Sequence, residues 1–275
     1  MSDARDKDPA HRISLRNPVS LAVPVRFDSR GVRHFGAPRA RSAPLQLDGF
    51  SGTVAGGAGC NAATITVTPH CEGTHTECVG HLTRDAMDVW QMAPRGLMKA
   101  LVVSVSAVAA SAVSEGSEPA PQPNDLLITA RDLRTACERA GFNASDEPWV
   151  EALIVRTLPN EPGKLTRDYT SLITPYFSRA AAEWLVSREI RHWVVDLPSV
   201  DRTYDEGRLT AHRVFFGLPA DSQRIDDATR ADCTITELAY VPDEVADGAY
   251  LLQLTMPALP GDAVLSSPLL FRVAE

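Results

Sequence analysis

The segment from His70 to His81 concentrates side chains that bind transition metals. It holds three histidines, two cysteines and two glutamates, in a chain that has only seven histidines and five cysteines. Imidazole, thiolate and carboxylate groups are the usual ligands of zinc and related divalent ions. This concentration predicts a metal site. The alternative, a polar loop whose histidines only satisfy hydrogen bonds, fits an isolated histidine better than a cluster.

The spacing within the segment suits ligands that converge on one point. His75 and Glu77 are two residues apart, so an extended strand places both side chains on one face. Gly73 permits a tight turn before them, and His81 could return to the same pocket as a further ligand or as a free base. Cys78 alternates to the face opposite Glu77, and we do not expect it to be a ligand.

Composition limits the class of partner. The formal net charge of −8 disfavours nucleic acid and anionic membranes, which need a basic face, and favours a small-molecule substrate. Residues 1–12 lack the apolar core of a secretory signal, and the near-apolar run 100–113 is too short to cross a bilayer. We therefore expect a soluble, cytoplasmic protein whose cysteines are free thiols or metal ligands.

The hydrophobic pattern predicts an α/β protein. Strands are expected, in chain order, at or within residues 17–27, 60–69, 101–108, 152–157 and 193–196. Thr129 is expected to cap a helix that Gly141 ends, and Ser178 to cap a second helix. The Pro- and Ser-rich stretch 114–124 predicts a surface loop. Helices alternate with strands in the second half, which favours α/β layering.

Four sequence blocks resemble the cyclase family, which includes bacterial kynurenine formamidases and isatin hydrolases. Residues 71–81 resemble its His-x-Gly-Thr-His-x-Asp-x-Pro-x-His signature, and residues 177–201 its helix followed by a Gly-x-Asp-x-Pro-Ser-x-Asp strand and loop. Residues 211–213 resemble its Ala-His-Arg, and residues 235–238 its Ile-x-Glu-Asn-Leu. The blocks occur in family order.

The resemblance implies an architecture. It implies a single-domain α/β fold of the swivelling β/β/α type, with a mixed β-sheet, a barrel-like core and flanking helices. We expect residues 1–40 to form an N-terminal arm with the first strands, and residues 41–275 to form the hydrolase domain. It also implies a homodimer.

The resemblance further implies a set of site residues. His75 would be a metal ligand, and Glu77 would bridge two divalent ions, zinc or alternatively manganese. His212 and Glu237 would complete the metal site, and His81 would act as the general acid/base. Without the resemblance, nothing about His212 or Glu237 would mark either as functional.

The chain departs from the family pattern at three motif positions. Cys71 occupies the first histidine position, so either its thiolate replaces the imidazole or a local bulge lets His70 reach the metal. Register favours Cys71, since thiolate is a good zinc ligand. Glu77 replaces an aspartate that is one methylene shorter, and Val79 replaces a proline.

Two loops are expected near the pocket. Residues 219–231 look inserted relative to the family, and their polar composition predicts a surface loop near the pocket rim. Asp196, Ser199 and Asp201 could form a structured loop beside the site, although capping and turn roles explain them equally well. Candidate aromatic residues for the pocket wall, each also explained by packing, are His34, Phe35, Trp90, Tyr176 and Phe177.

The resemblance implies a metal-dependent hydrolase that cleaves an amide C–N bond with metal-activated water. The expected substrate is an aryl formamide such as N-formylkynurenine, an intermediate of tryptophan catabolism. A cyclic amide or lactone, as in isatin hydrolase, is the alternative, because both reactions need the same activated water. A third hypothesis is a catalytically weak ligand-binding protein, since the departures at Cys71 and Glu77 could remove one metal site.

Overall fold

A computed structural model describes residues 16–28, 30–142 and 150–273. The strands of these ranges are β1 (Val19–Ser20), β2 (Arg41–Pro44), β3 (Gln46–Leu47), β4 (Phe50–Ser51), β5 (Ala63–Thr66), β6 (His75–Glu77), β7 (Met98–Ser106), β8 (Val108–Ala109), β9 (Leu126–Ile128), β10 (Ala152–Leu158), β11 (Tyr176–Phe177), β12 (His192–Val195), β13 (Thr234–Glu237), β14 (Gly248–Thr255), β15 (Ala263–Leu265) and β16 (Ser267–Arg272). The α-helices of these ranges are α1 (Ala130–Arg139), α2 (Arg179–Ser187) and α3 (Thr210–Phe216).

Nine of these strands form one mixed sheet, in the order β1-β16-β14-β7-β10-β12-β13-β6-β15. The four strands β7, β10, β12 and β13 run parallel, and the strands on either side of them pair antiparallel. Only Ser266 separates β15 from β16, although these strands lie near opposite ends of the sheet. The sheet must therefore curl until its ends approach. The expected α/β fold with a mixed, barrel-like sheet is confirmed.

The parallel strands account for the apolar runs in the sequence, because both of their faces are covered. Leu153 and Trp193 pack on the face that carries the helices, in a core cluster with residues of all three helices. Ile154 and Val194 point the opposite way, into a second cluster with side chains of β14 and β16. The central strands thus lie between two apolar cores.

Both helix caps predicted from the sequence are present. The Thr129 side chain accepts a hydrogen bond from the backbone N–H of Asp132, and the Ser178 hydroxyl accepts one from the N–H of Ala181. Gly141, with φ of 85°, follows the C-terminus of α1. Residues 114–124 form a loop without helix or strand. Local sequence chemistry therefore sets these boundaries.

The early strands are shorter than the sequence predicts. Within 17–27 the regular strand is limited to β1, since Pro18 and Pro24 cannot donate ladder hydrogen bonds. β1 pairs with β16 of the main sheet, whereas β5 pairs with β2 in a hairpin whose residues are all exposed. The domain division after residue 40 stays a prediction.

None of the three α-helices in the described ranges is long and apolar enough to cross a membrane. The cytoplasmic location stays a prediction.

Candidate metal centre

The motif segment folds as a strand between two 3₁₀ turns. β6 carries His75 and Glu77 on the same face, as the two-residue spacing predicts, and both side chains are buried. Gly73 precedes the strand with φ of 74°, where an added Cβ would lie 2.8 Å from a methyl carbon of Val25. Only glycine fits this position, because the backbone is left-handed and the neighbouring chain is close.

Strand pairing places Glu237 beside the motif segment. β6 lies antiparallel to β13, with His75 directly opposite Glu237, so both side chains extend from the same face of the sheet. His75 Nε2 lies 3.5 Å from Glu237 Oε2. The pairing of strands that are about 160 residues apart in sequence explains why residue patterns alone could not single out Glu237.

His212 arrives from the first turn of α3. Its Nε2 lies 2.6 Å from Glu77 Oε1, and its Nδ1 lies 2.7 Å from Asp201 Oδ2. The Asp201 carboxylate also accepts hydrogen bonds from the backbone N–H groups of Ala211 and His212. Asp201 thus fixes both the start of the helix and the orientation of the imidazole, which leaves Nε2 directed at Glu77.

His70, rather than Cys71, belongs to the cluster. His70 Nδ1 lies 2.9 Å from Glu77 Oε2, whereas the Cys71 thiol is in neither of the groups that could hold a metal ion. Both residues lie in the 3₁₀ turn Pro69–Cys71, where successive side chains diverge by about 120°, so the register argument for Cys71 does not apply. Burial raises the pKa of the Cys71 thiol.

His81 lies beside His70, on the second 3₁₀ turn. The two ring centroids are 4.2 Å apart, and the His81 and His212 rings are 5.7 Å apart. Asp262, which sequence reasoning missed, lies next to both: its Oδ2 is 2.8 Å from His70 Nε2 and 3.3 Å from His81 Nδ1. Asp262 precedes β15 in a region with no recognisable motif.

Two overlapping groups of side chains could each hold a cation, and Glu77 belongs to both. One group comprises His70, Glu77 and His81, and the other comprises His75, Glu77 and Glu237. The shared carboxylate is the arrangement expected where one residue bridges two ions. His81 could therefore act as a ligand or as a free base.

The unsatisfied polar atoms of the cluster fit a bound cation. His75 Nε2, His212 Nε2 and both carboxylate oxygens of Glu77 are buried without a hydrogen bond of acceptable geometry. Buried polar atoms are rarely left in this state, and here they lie together on two elements, β6 and α3. Imidazole nitrogens and carboxylate oxygens that converge in this way suit a divalent ion.

Electrostatics keep Glu77 ionised. Burial alone would raise the pKa of this carboxyl, but the surrounding imidazoles of His212, His81 and His70 outweigh it and hold the pKa well below its usual range. A carboxylate that is charged at neutral pH can act as a metal ligand.

A cavity of about 760 Å³ opens onto the cluster. His70, Glu77, His81, His212 and Glu237 line its floor, and the loop from Pro198 to Leu209 lines much of its wall. Such a volume suits a small molecule.

Two exposed aromatic rings face each other at this cavity. Phe35 and Tyr204 are 53% and 68% exposed, with ring centroids 6.4 Å apart in an edge-to-face arrangement. Phe35 was among the sequence candidates, whereas Tyr204 was missed. Tyr176 and Phe177 are instead fully buried in the core, and neither His34 nor Trp90 lines the cavity.

The loop 219–231 does not lie at the rim of this cavity. Its residues contact Arg84 and Asp85 on another surface: the Arg84 N–H donates to Gln223 O, and the Ile225 N–H donates to Asp85 Oδ2. None of residues 219–231 is among the cavity-lining residues. The expected position was therefore wrong, because polar composition predicts exposure but not location.

Sequence comparison identifies the family. The family described as "Putative cyclase" matches residues 13–202, more than half of the chain, and the chain belongs to this family. The match contains His70, His75, Glu77 and His81, and it ends before His212 and Glu237. No curated protein matches the chain.

Solved structures share the fold at low sequence identity. A predicted metal-dependent hydrolase from Bacillus stearothermophilus is 13% identical, with a TM-score of 0.56 over 93% of this chain and 98% of the other. Isatin hydrolase A from Labrenzia aggregata, bound to benzyl benzoate, is 13% identical with a TM-score of 0.56 over 94% of each chain. An isatin hydrolase bound to the product analogue thioisatinate is 16% identical, with a TM-score of 0.52 over 86% and 82% of the two chains.

Proposed function

We propose that this protein is a metal-dependent hydrolase that cleaves the amide C–N bond of an aryl formamide such as N-formylkynurenine. The observation that carries the proposal is the convergence of imidazole nitrogens on Glu77, with His70 Nδ1 2.9 Å from one buried carboxylate oxygen and His212 Nε2 2.6 Å from the other. His70, His75, Glu77, His212 and Glu237 would hold two divalent ions, with zinc preferred for the imidazole ligands. Bound ions of this kind lower the pKa of a water and polarise a carbonyl.

His81 supplies the proton transfers in this proposal. With Nδ1 directed at Asp262, His81 retains Nε2 for the reaction, and its side chain lines the cavity. Nε2 accepts a proton from the water as oxygen bonds to the carbonyl carbon, and returns it to the nitrogen as the C–N bond breaks. The products are a carboxylic acid and an amine. A base that cycles protons must stay off the metal, which favours this role over that of a ligand.

Phe35 and Tyr204 support an aromatic substrate. Exposed rings cost free energy in water, and a planar substrate ring that packs against them would cover part of this surface. This observation favours an aryl amide over an aliphatic one.

Replacement of His81 tests the proposed mechanism. His81→Ala should lower kcat for N-formylkynurenine by about 100-fold or more, while the metal content measured by elemental analysis stays at the parent level. His70→Ala is the matched control and should lose metal as well as activity. Loss of metal from the His81 variant would make His81 a ligand and refute the assigned role.

Hydrolysis of a cyclic amide or lactone is the second candidate, because isatin hydrolases share the fold. Parallel measurements of kcat/KM on N-formylkynurenine and isatin would separate the two reactions. Binding of both without turnover, together with absence of metal, would favour the ligand-binding hypothesis. A homodimer and a cytoplasmic location remain part of the proposal.

A further inference from the structure

We propose that Asp262 is a positioning residue shared by a metal ligand and the general base. The inference rests on the proposed hydrolase function. A single carboxylate oxygen, Oδ2, lies 2.8 Å from His70 Nε2 and 3.3 Å from His81 Nδ1. The two rings lie nearly alongside each other, tilted by 31°. Asp262 Oδ2 is thus shared by one nitrogen of each ring, and in His70 this is the nitrogen that does not contact Glu77.

The backbone around Asp262 is fixed to the histidine motif. The Asp262 carbonyl accepts a hydrogen bond from the Cys78 N–H, and the Gly261 carbonyl accepts one from the Val89 N–H. The Gly261 N–H in turn donates to the Asp88 carboxylate over 3.0 Å. These three bonds hold the residue independently of its own side chain, so the carboxylate is placed against the rings by the fold.

Gly80 allows this close approach. A Cβ at residue 80 would lie 3.2 Å from the Cβ of Asp262 and 3.1 Å from the Cβ of Met87. These separations are tighter than ordinary contacts, and a side chain at Gly80 would push the Asp262 segment away from the motif. The absence of a side chain at Gly80, between β6 and His81, therefore allows Asp262 to lie close to both histidines.

The shared contact sets complementary tautomers in the two rings. The His70 Nε2–H donates to Asp262, which leaves Nδ1, 2.9 Å from Glu77 Oε2, as the nitrogen that would hold a cation. The His81 Nδ1–H donates to the same oxygen, which leaves Nε2 for proton transfer. A carboxylate behind a metal-bound histidine fixes the ring and strengthens the ligand. Asp262 performs this function for His70 while it also orients His81.

Asp262→Asn tests the proposal, with Asp88→Asn as the matched control at a contact of the same loop. The amide introduced by Asp262→Asn is neutral, so its oxygen is a weaker acceptor for both rings than the charged carboxylate oxygen. Affinity for Zn²⁺, measured by competition with a chromophoric chelator, should therefore fall by about 10- to 100-fold. At saturating Zn²⁺, kcat for N-formylkynurenine should fall by about 10-fold or more while KM changes little. Asp88→Asn should leave both quantities near the parent values, because the amide oxygen of asparagine still accepts the hydrogen bond from the Gly261 N–H.

The double variant separates the two contacts. In a His81→Ala background, Asp262→Asn should weaken Zn²⁺ binding by the same factor as in the parent but lower kcat no further. Equal behaviour of the Asp262 and Asp88 variants would overturn the proposal, as would weaker metal binding with an unchanged kcat. If the parent binds Zn²⁺ but hydrolyses no amide, the proposed function fails, and the affinity measurements still test the contact with His70.

Discussion

Glu77 is the residue around which the site is organised. Imidazoles from two separate elements reach its two oxygens, His70 Nδ1 at 2.9 Å and His212 Nε2 at 2.6 Å, and His75 lies on the same strand face. It is one methylene longer than the family's aspartate, and its two oxygens still meet the imidazoles of His70 and His212. The substitution therefore leaves a shared carboxylate in place.

Tyr204 offers a test of substrate class at the residue scale. Tyr204→Ala should raise KM for an aryl formamide by about 10-fold, since a ring contact contributes about 0.5–1.5 kcal/mol in addition to its buried area. kcat should change little, because Tyr204 is not among the residues of either metal group. The measurement is steady-state kinetics on N-formylkynurenine and on an aliphatic formamide. An equal rise in KM for both substrates would exclude a stacking role.

At the scale of elements, the insertion of β6 between β13 and β15 assembles the centre. The strand has three residues, yet its two neighbours place Glu237 and the Asp262 segment on either side of the motif. The turn at Gly73 sets where the strand begins. A change there should disturb the whole cluster.

Gly73→Ala should therefore destabilise the fold by about 2 kcal/mol or more, because the added Cβ meets Val25 and the left-handed backbone is strained. Gly49→Ala is the control: its φ of 72° imposes the same strain, but nothing lies within 4 Å of the added atom. Denaturant unfolding would measure both. Equal losses would show that the clash at Gly73 contributes nothing.

His192 on β12 gives a pH-dependent prediction. Burial, followed by the charge of Arg191, lowers the pKa of His192 from 6.5 to about 4 in the folded state. Since the folded pKa is below the unfolded one, the stability contribution is full above about pH 6.5 and is lost as pH falls toward 4, by up to about 3 kcal/mol.

The His192→Gln variant isolates this contribution. Its stability deficit relative to the parent should shrink between about pH 7 and about pH 4.5, because only the parent contains a buried imidazole that resists protonation in the folded state. Thermal unfolding of both proteins across this range is the measurement. A deficit that stays constant with pH would contradict the assignment.

At the scale of the whole molecule, local chemistry was easier to predict than long-range pairing. The caps at Thr129 and Ser178 follow from side chains next to the bonds they make. His212 and Glu237 lie near Glu77 because a helix and a strand far along the chain return to it, and only the family resemblance pointed to them. Neither the family resemblance nor any other sequence pattern pointed to Asp262. Register favoured Cys71 over His70, whereas the fold places the His70 imidazole beside Glu77 and leaves Cys71 outside both groups that could hold a metal ion.

Metal binding should stabilise the entire fold, since the ligands come from the motif, α3 and β13. Addition of Zn²⁺ at about 100 times its dissociation constant should stabilise the folded state by about 2.7 kcal/mol, and a chelator should reverse the gain. Differential scanning calorimetry with and without chelator measures this. An unfolding temperature that does not respond to either addition would argue against a centre built from distant segments.

The most direct test of the account is the metal content of Glu77→Gln. The parent should hold about two equivalents of divalent metal per chain, and the variant should lose most of both because the shared carboxylate is gone. Glu72→Gln is the control and should keep the parent content, since Glu72 is in neither group that could hold a metal ion and its Oε1 accepts a hydrogen bond from the Ala40 N–H at 2.6 Å. Elemental analysis of the three purified proteins gives the answer: metal retained in full by Glu77→Gln would contradict the proposed centre.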